Sequence, residues 1–143
     1  MKKNGPIIYV DDDTDDLELI GEIYRSLDYS DEIITFNDST KVLPYLRATG
    51  VIPLLIISDV NMPLLNGYEL REQIAGDDEL HLNCVPFIFF STAQSLQVVA
   101  DAYSRSIQGF FEKAGDYEAL RRRLKLILDY WTDALSPGNA FYR

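Results

Sequence analysis

Ile7-Ile8-Tyr9-Val10-Asp11-Asp12-Asp13 is four β-favouring apolar residues cut off by three consecutive carboxylates. A short apolar run with no polar alternation predicts a strand covered on both faces, as in a parallel sheet. Downstream, Leu17, Ile20, Tyr24 and Leu27 recur at spacings of three and four with Glu18, Glu22 and Arg25 between them, which predicts an amphipathic helix capped by Asp13 or Thr14. The unit then repeats along the chain. Glu32 to Phe36 is a second strand, and Ser39 to Ala48 a helix with Val42, Leu43 and Leu46 inward and Pro44 either kinking it or lying in its first turn. Leu54 to Ser58 is a third strand, followed by Pro63 and Asn66-Gly67 as loop punctuation and a helix from Tyr68 to Ile74. Val85 to Ser91, a polar helix from Ser95 to Ser104, and Gly109 to Glu112 continue the alternation. Asp116 caps a last helix with Leu120, Leu124, Ile127 and Trp131 inward, and Ser136-Pro137-Gly138 stops it. Residues 136–143 read as a loose tail. Five strand–helix alternations predict an α/β fold, a doubly wound five-stranded parallel sheet with helices on both faces, because right-handed crossovers place the helices there.

The chain has 143 residues, room for one domain, and 47% are hydrophobic, enough for a core. A formal net charge of -10 repels nucleic-acid phosphates and anionic membranes, so neither is an expected partner. The longest apolar stretches, Val51 to Ile57 and Val85 to Phe90, fall short of the roughly 20 residues that span a bilayer. Met1-Lys2-Lys3 is followed by Asn4-Gly5-Pro6 and not by an apolar leader core, and Cys84 is a lone cysteine. Both features predict a soluble protein of the reducing cytoplasm.

In a sheet of this kind, chemistry gathers beyond the carboxyl ends of the strands. There the sequence places Asp11, Asp12 and Asp13, with Asp15 and Asp16 close behind; then Asp59; then Ser91 and Thr92; then Lys113. Crowded carboxylates either raise a pKa or hold a hard cation, and Mg²⁺, which takes oxygen ligands and keeps waters to share with a phosphate, is the natural choice. Asp59 could then act as a nucleophile toward a phosphoryl group, with Thr92 and Lys113 stabilising its oxygens.

The strand ending in Asp11-Asp12, the segment Ser58-Asp59-Val60-Asn61-Met62-Pro63-Leu64-Leu65-Asn66-Gly67, the pair Thr92-Ala93 and the late Lys113 together resemble the receiver domain of two-component response regulators. The resemblance implies a flavodoxin-like sheet with strand order 2-1-3-4-5 over residues 5–133, a tail at 134–143 and no output domain. It implies that Asp12 and Asp59 ligate Mg²⁺, that Asp11 acts through water, and that Asn61 offers its backbone carbonyl. Asp59 would be the phosphoacceptor, Thr92 and Lys113 would contact the phosphoryl group, and Phe110 would hold the switch position. The implied partners are a sensor histidine kinase or histidine phosphotransfer protein and a downstream protein target. Contact would be made through the face of the fourth helix, fifth strand and fifth helix, carrying Tyr103, Ile107, Tyr117 and parts of Arg121 to Arg123; the same face could pair two copies. Such a protein is not an enzyme beyond self-phosphorylation from small donors and self-dephosphorylation. Ala114 stands where the family usually has Pro, which predicts a trans peptide after Lys113, since a non-proline cis bond costs roughly 3–4 kcal/mol.

Other readings are weaker. An aspartate-nucleophile phosphohydrolase would use Asp11 and Asp13, but Asp15 stands where its Thr or Val belongs. A calcium loop from Asp11 would need Gly where Asp16 stands. The remaining alternative is a pseudo-receiver that binds partners without taking phosphate. Taken singly, Asp11 to Asp16 would be a solvated helix cap, His81 a surface loop residue, Arg121-Arg122-Arg123 a solvated helix face, and the aromatic set around Phe87, Phe89 and Phe90 core.

Overall fold

Five parallel strands lie side by side in the order β2-β1-β3-β4-β5 in the computed structural model, which describes residues 4–79, 82–92, 95–113 and 115–140. They are β1 (Ile7–Val10), β2 (Ile33–Phe36), β3 (Leu55–Ser58), β4 (Phe87–Ser91) and β5 (Gly109–Glu112). The helices are α1 (Thr14–Ser26), α2 (Val42–Thr49), α3 (Gly67–Ala75), α4 (Leu96–Tyr103), α5 (Tyr117–Asp133) and the short α6 (Pro137–Ala140). Successive side chains of a strand point to opposite faces, and the two faces hold separate cores. Ile8, Val10, Ile56, Phe87 and Phe89 pack with Val42, Leu46, Leu70, Ile74 and Ala102 beneath α2, α3 and α4. Ile7, Tyr9, Leu55, Ile57, Ile88 and Phe90 pack with Ile20, Ile23, Leu124 and Leu128 beneath α1 and α5. This is the doubly wound α/β arrangement expected from the alternating pattern, with helices on both faces.

Local chemistry sets the element ends. Asp13 is the N-cap of α1, its carboxylate accepting from the backbone N–H groups of Asp15 and Asp16. Residues Ser39–Lys41 form a 3₁₀ turn, and α2 begins at Val42. Pro44 thus lies in the first turn of α2, where its missing N–H removes no helical bond. β4 starts at Phe87, two residues later than the apolar run, because Pro86 before it has no N–H for the ladder.

The described part of the expected loose tail is instead packed. The Gly5 N–H donates to Gly138 O at 2.6 Å, and a Cβ on Gly138 would collide with the backbone of Pro53 and Leu54. Asn139 is fully buried. Its amide donates to Ala134 O at 2.7 Å and Trp131 O at 3.4 Å, and its carbonyl accepts from the Ser136 N–H at 3.0 Å. The side chain therefore satisfies carbonyls left open at the C-terminus of α5. Asn139→Ala is expected to lower unfolding free energy by about 2 kcal/mol in a denaturant titration, the cost of stranding buried polar groups; an unchanged midpoint would show the segment to be dispensable.

Candidate functional site

The carboxyl ends of β1 and β3 are hydrogen-bonded neighbours: Asp59 N–H donates to Val10 O at 2.9 Å, and on the other side of β1 Asp11 N–H donates to Phe36 O at 3.0 Å. This pairing brings carboxylates from distant parts of the sequence together. One oxygen each of Asp11, Asp12 and Asp59 lies within 4.8 Å of the others, with Asp11 buried, Asp59 half-buried and Asp12 exposed. The loop after β3 is held close by Gly67, whose N–H donates to Val60 O at 2.8 Å. A Cβ there would run into Asp59 O and approach the Phe89 ring at 2.7 Å. Gly67→Ala is accordingly expected to displace Asp59 and destabilise the fold by about 2 kcal/mol, a typical overpacking cost, with weakened divalent-cation binding in the same calorimetric titration.

Each acid is held differently. Asp59 Oδ1 accepts from the Val60 N–H and from Ser91 Oγ, both at 2.7 Å, while Oδ2 accepts from Lys113 Nζ at 3.4 Å. Asp11 Oδ1 accepts from the Asp13 N–H at 3.0 Å, and Oδ2 from Lys113 Nζ at 2.5 Å. The third contact of the ammonium is Asp16 Oδ2 at 2.9 Å. Lys113 reaches the pocket because its N–H continues the β4–β5 ladder to Ser91 O at 2.5 Å, which fixes the root of a side chain only 8% exposed.

Electrostatics follow from burial. Desolvation pushes the Asp11 carboxyl up to about 6, with the Asp59 charge adding to it and the Lys113 and Asp13 hydrogen bonds opposing it. Burial also works against the Lys113 charge, yet the hydrogen bonds to Asp11 and Asp16 outweigh it and hold the ammonium above its ordinary range. Below the pocket, burial raises the Tyr9 phenol well above its usual value, and Asp11, Asp16 and Asp59 raise it further. Among the described residues three carboxylates thus contact one ammonium, and Asp12 adds a fourth acid to the cluster. An all-oxygen cluster with that imbalance fits a hard divalent cation better than a transition metal that prefers nitrogen or sulfur.

Most of the expected site residues come together, and some do not. Asp11, Asp12, Asp59 and Lys113 form the pocket, and Asn61 lies exposed in the loop just beyond β3. The hydroxyl hydrogen-bonded to Asp59 belongs to Ser91, the last residue of β4; Thr92, expected to contact a bound phosphoryl group, is one residue further on and exposed. Asp16 was visible only as one acid of a run. Its signal lay in the helical spacing, because Asp16, Ile20 and Ile23 share the inward stripe of α1, where a carboxylate needs a partner. Phe110 is half-buried and meets Phe89 edge-on at 5.8 Å; Phe89 in turn meets Tyr68 at 5.4 Å, and the Arg105 guanidinium lies over the Tyr68 ring at 4.5 Å. On the expected contact face, Tyr103 and Tyr117 are exposed, but Ile107 is only 6% exposed and belongs to the core. Arg121 turns away toward α1, donating to Ser26 Oγ at 3.1 Å. Ala93, Ala114 with the peptide that precedes it, and His81 lie outside the described residues. Among the described residues no helix is long and apolar enough to cross a membrane.

Comparison with known proteins agrees with this geometry. The chain is 27% identical over 139 residues to a probable methanogenesis regulatory protein, FilR2, of Methanothrix harundinacea, spanning 94% of this chain and 88% of that protein. It is 22% identical over 135 residues to the response regulator Rcp1 of Synechocystis, spanning 91% and 90% of the two chains. Among solved structures, the phosphorylated cyanobacterial phytochrome response regulator RcpA superposes with a TM-score of 0.83 at 26% identity, covering 94% of this chain and 99% of that one. A model of the response regulator receiver domain matches residues 7–125. That match runs from the first residue of β1 into α5 and so takes in every strand and every acid of the pocket; the chain belongs to the receiver domain family of two-component response regulators.

Proposed function

We propose that this receiver takes a phosphoryl group onto Asp59 from a histidine kinase or a histidine phosphotransfer protein, with Mg²⁺ bound, and passes the signal on by protein contact. The observation that carries this reading is the asymmetric setting of Asp59. Its Oδ1 is pinned by the Val60 N–H and Ser91 Oγ at 2.7 Å, whereas among the described residues Oδ2 has only the 3.4 Å contact with Lys113. In the transfer, an Asp59 oxygen forms the new O–P bond as the donor P–N bond breaks, its electron pair leaving with the imidazole, and an acyl phosphate results. Lys113 Nζ and Ser91 Oγ, both already hydrogen-bonded to Asp59, would donate to the phosphoryl oxygens, with Ser91 taking the part that the resemblance gave to Thr92. Asp12 and Asp59 would hold Mg²⁺ directly, with Asp11 through water and the Asn61 carbonyl completing the protein ligands; the ion supplies charge neutralisation between carboxylate and incoming phosphate. The phosphorylated form of RcpA, a relative over nearly its whole length, is in keeping with this chemistry.

The test is a mass measurement. Incubated with Mg²⁺ and acetyl phosphate, the protein is expected to gain one phosphoryl group, and the gain should disappear with EDTA or with Asp12→Ala. A wild-type chain that binds Mg²⁺ but gains no mass from this donor or from a phosphorylated histidine phosphotransfer protein would be a pseudo-receiver.

Output is read at Phe110, which packs against Phe89 and not through a hydroxyl. Phosphate at Asp59 would draw Ser91 inward and bias a pre-existing equilibrium of the Phe110 ring, with α4, β5 and α5 as the contact face for a target or a second copy. Adding beryllofluoride with Mg²⁺ should shift the amide resonances of Phe110, Tyr103 and Tyr117 as well as those of the pocket. Shifts confined to the pocket would refute this route.

A further inference from the structure

We propose that Asp16 is a positioning residue for Lys113, keeping the ammonium compensated and in place when a divalent cation engages Asp11 and Asp59. The inference rests on the metal-dependent receiver reading above. Lys113 has three N–H donors, and they go to Asp11 Oδ2 at 2.5 Å, Asp16 Oδ2 at 2.9 Å and Asp59 Oδ2 at 3.4 Å. Two of these three partners belong to the acid cluster whose oxygens lie within 4.8 Å of one another; Asp16 does not. A cation that takes up the charge of Asp11 and Asp59 therefore leaves a side chain only 8% exposed facing a second positive charge. Asp16 is then the carboxylate free to balance it. Uncompensated, such a buried ammonium is expensive, and like charges at this range repel.

The location of Asp16 suits the task. It sits in the first turn of α1, fixed by its own N–H donating to the N-cap carboxylate of Asp13 at 3.3 Å, and on the inward stripe continued by Ile20 and Ile23. At 34% side-chain exposure it is open to solvent on one side and meets Lys113 without joining the metal cluster. It also explains the long contact to Asp59. With two shorter partners on its other N–H groups, the ammonium is drawn off the nucleophile, whose Oδ2 stays available to attack phosphorus. Without Asp16 the ammonium would redistribute onto Asp11 and Asp59, in direct competition with the cation.

The experiment is a double-mutant cycle on Mg²⁺ affinity, measured by calorimetry with the metal alone, using Asp16→Asn, Lys113→Met and the double variant. Asp16→Asn should weaken Mg²⁺ binding about tenfold in the wild-type background and less than about twofold beside Lys113→Met, because contacting charges couple and the second background has lost the group through which Asp16 acts. Asp16→Glu should restore most of the affinity. Equal losses in both backgrounds would overturn the proposal, since they would make Asp16 a plain charge effect. A second readout needs no metal: the Lys113 ¹⁵Nζ–H correlation should be visible in the wild-type protein, where three carboxylates hold a side chain 8% exposed, and should vanish in Asp16→Asn; its persistence there would also overturn the proposal. Should the wild type bind no Mg²⁺, the metal reading fails, while this spectrum still decides whether Asp16 holds the ammonium.

Discussion

Asp59→Asn is expected to abolish phosphoryl uptake and, in the metal-free protein, to raise the melting temperature. The first effect follows from chemistry, because a neutral amide oxygen is too weak a nucleophile to attack phosphorus. The second follows from crowding. Asp59 shares its pocket with Asp11 and Asp12, and its charge is one of the causes that raise the Asp11 carboxyl. Replacing it removes one charge from the cluster but keeps an oxygen for the Val60 N–H and Ser91 Oγ, while Lys113 keeps its shorter contacts to Asp11 and Asp16. Relief of about 1 kcal/mol would move the midpoint by roughly 3 °C in a chain of this size. Gaining stability while losing function is the usual signature of a site built from repelling groups. Intact mass after acetyl phosphate treatment and a thermal melt check the two halves separately. Retained mass gain would place the acceptor elsewhere, and a lower melting temperature would mean that the 3.4 Å contact to Lys113 outweighs the repulsion.

Mg²⁺ is expected to stabilise the protein more at pH 7.5 than at pH 5. The Asp11 carboxyl sits at about 6 in the folded protein against 3.8 ordinarily, so between those values the native state holds a proton that the unfolded chain has released. Stability from this group is fully present below 3.8 and falls as pH rises, and it is lost once pH passes about 6. A displacement of this size corresponds to roughly 3 kcal/mol, and Asp11 is fully buried, so solvent does little to screen it. A bound cation favours the ionised acid and cancels the penalty. At a concentration a hundred times its dissociation constant it adds about 2.7 kcal/mol of its own. Melts of the wild type and of Asp11→Asn at both pH values, with and without Mg²⁺, isolate the contribution of Asp11. Equal Mg²⁺ stabilisation at both pH values would show that Asp11 is not the titrating group.

The alternation of Ile7–Val10, Leu54–Ser58 and Val85–Ser91 with amphipathic helices was enough to establish a two-faced parallel sheet, because burial on both faces leaves an apolar run that no solvated strand could carry. The positions of Asp11, Asp12, Asp59 and Lys113 just beyond strand ends were equally legible, since the carboxyl edge is a property of parallel connectivity and not of detailed packing. The order in which the strands pair was not in the periodicity; it came with the resemblance to receiver domains, and the β2-β1-β3-β4-β5 sheet agrees with it. Contacts between elements were decided only by tertiary structure. Whether Ser91 or Thr92 reaches Asp59 depends on where β4 ends against β5, which the bond from Lys113 N–H to Ser91 O sets. Burial of Ile107 and the turn of Arg121 toward Ser26 depend on where α4 and α5 cross the sheet. Asn139 looked like part of a polar tail because its partners, the carbonyls of Trp131 and Ala134, are open only once α5 has ended there. Asp16 joined Lys113 across 97 residues of sequence. Side-chain periodicity reports which face of an element is buried, and only the three-dimensional arrangement determines which group stands opposite it.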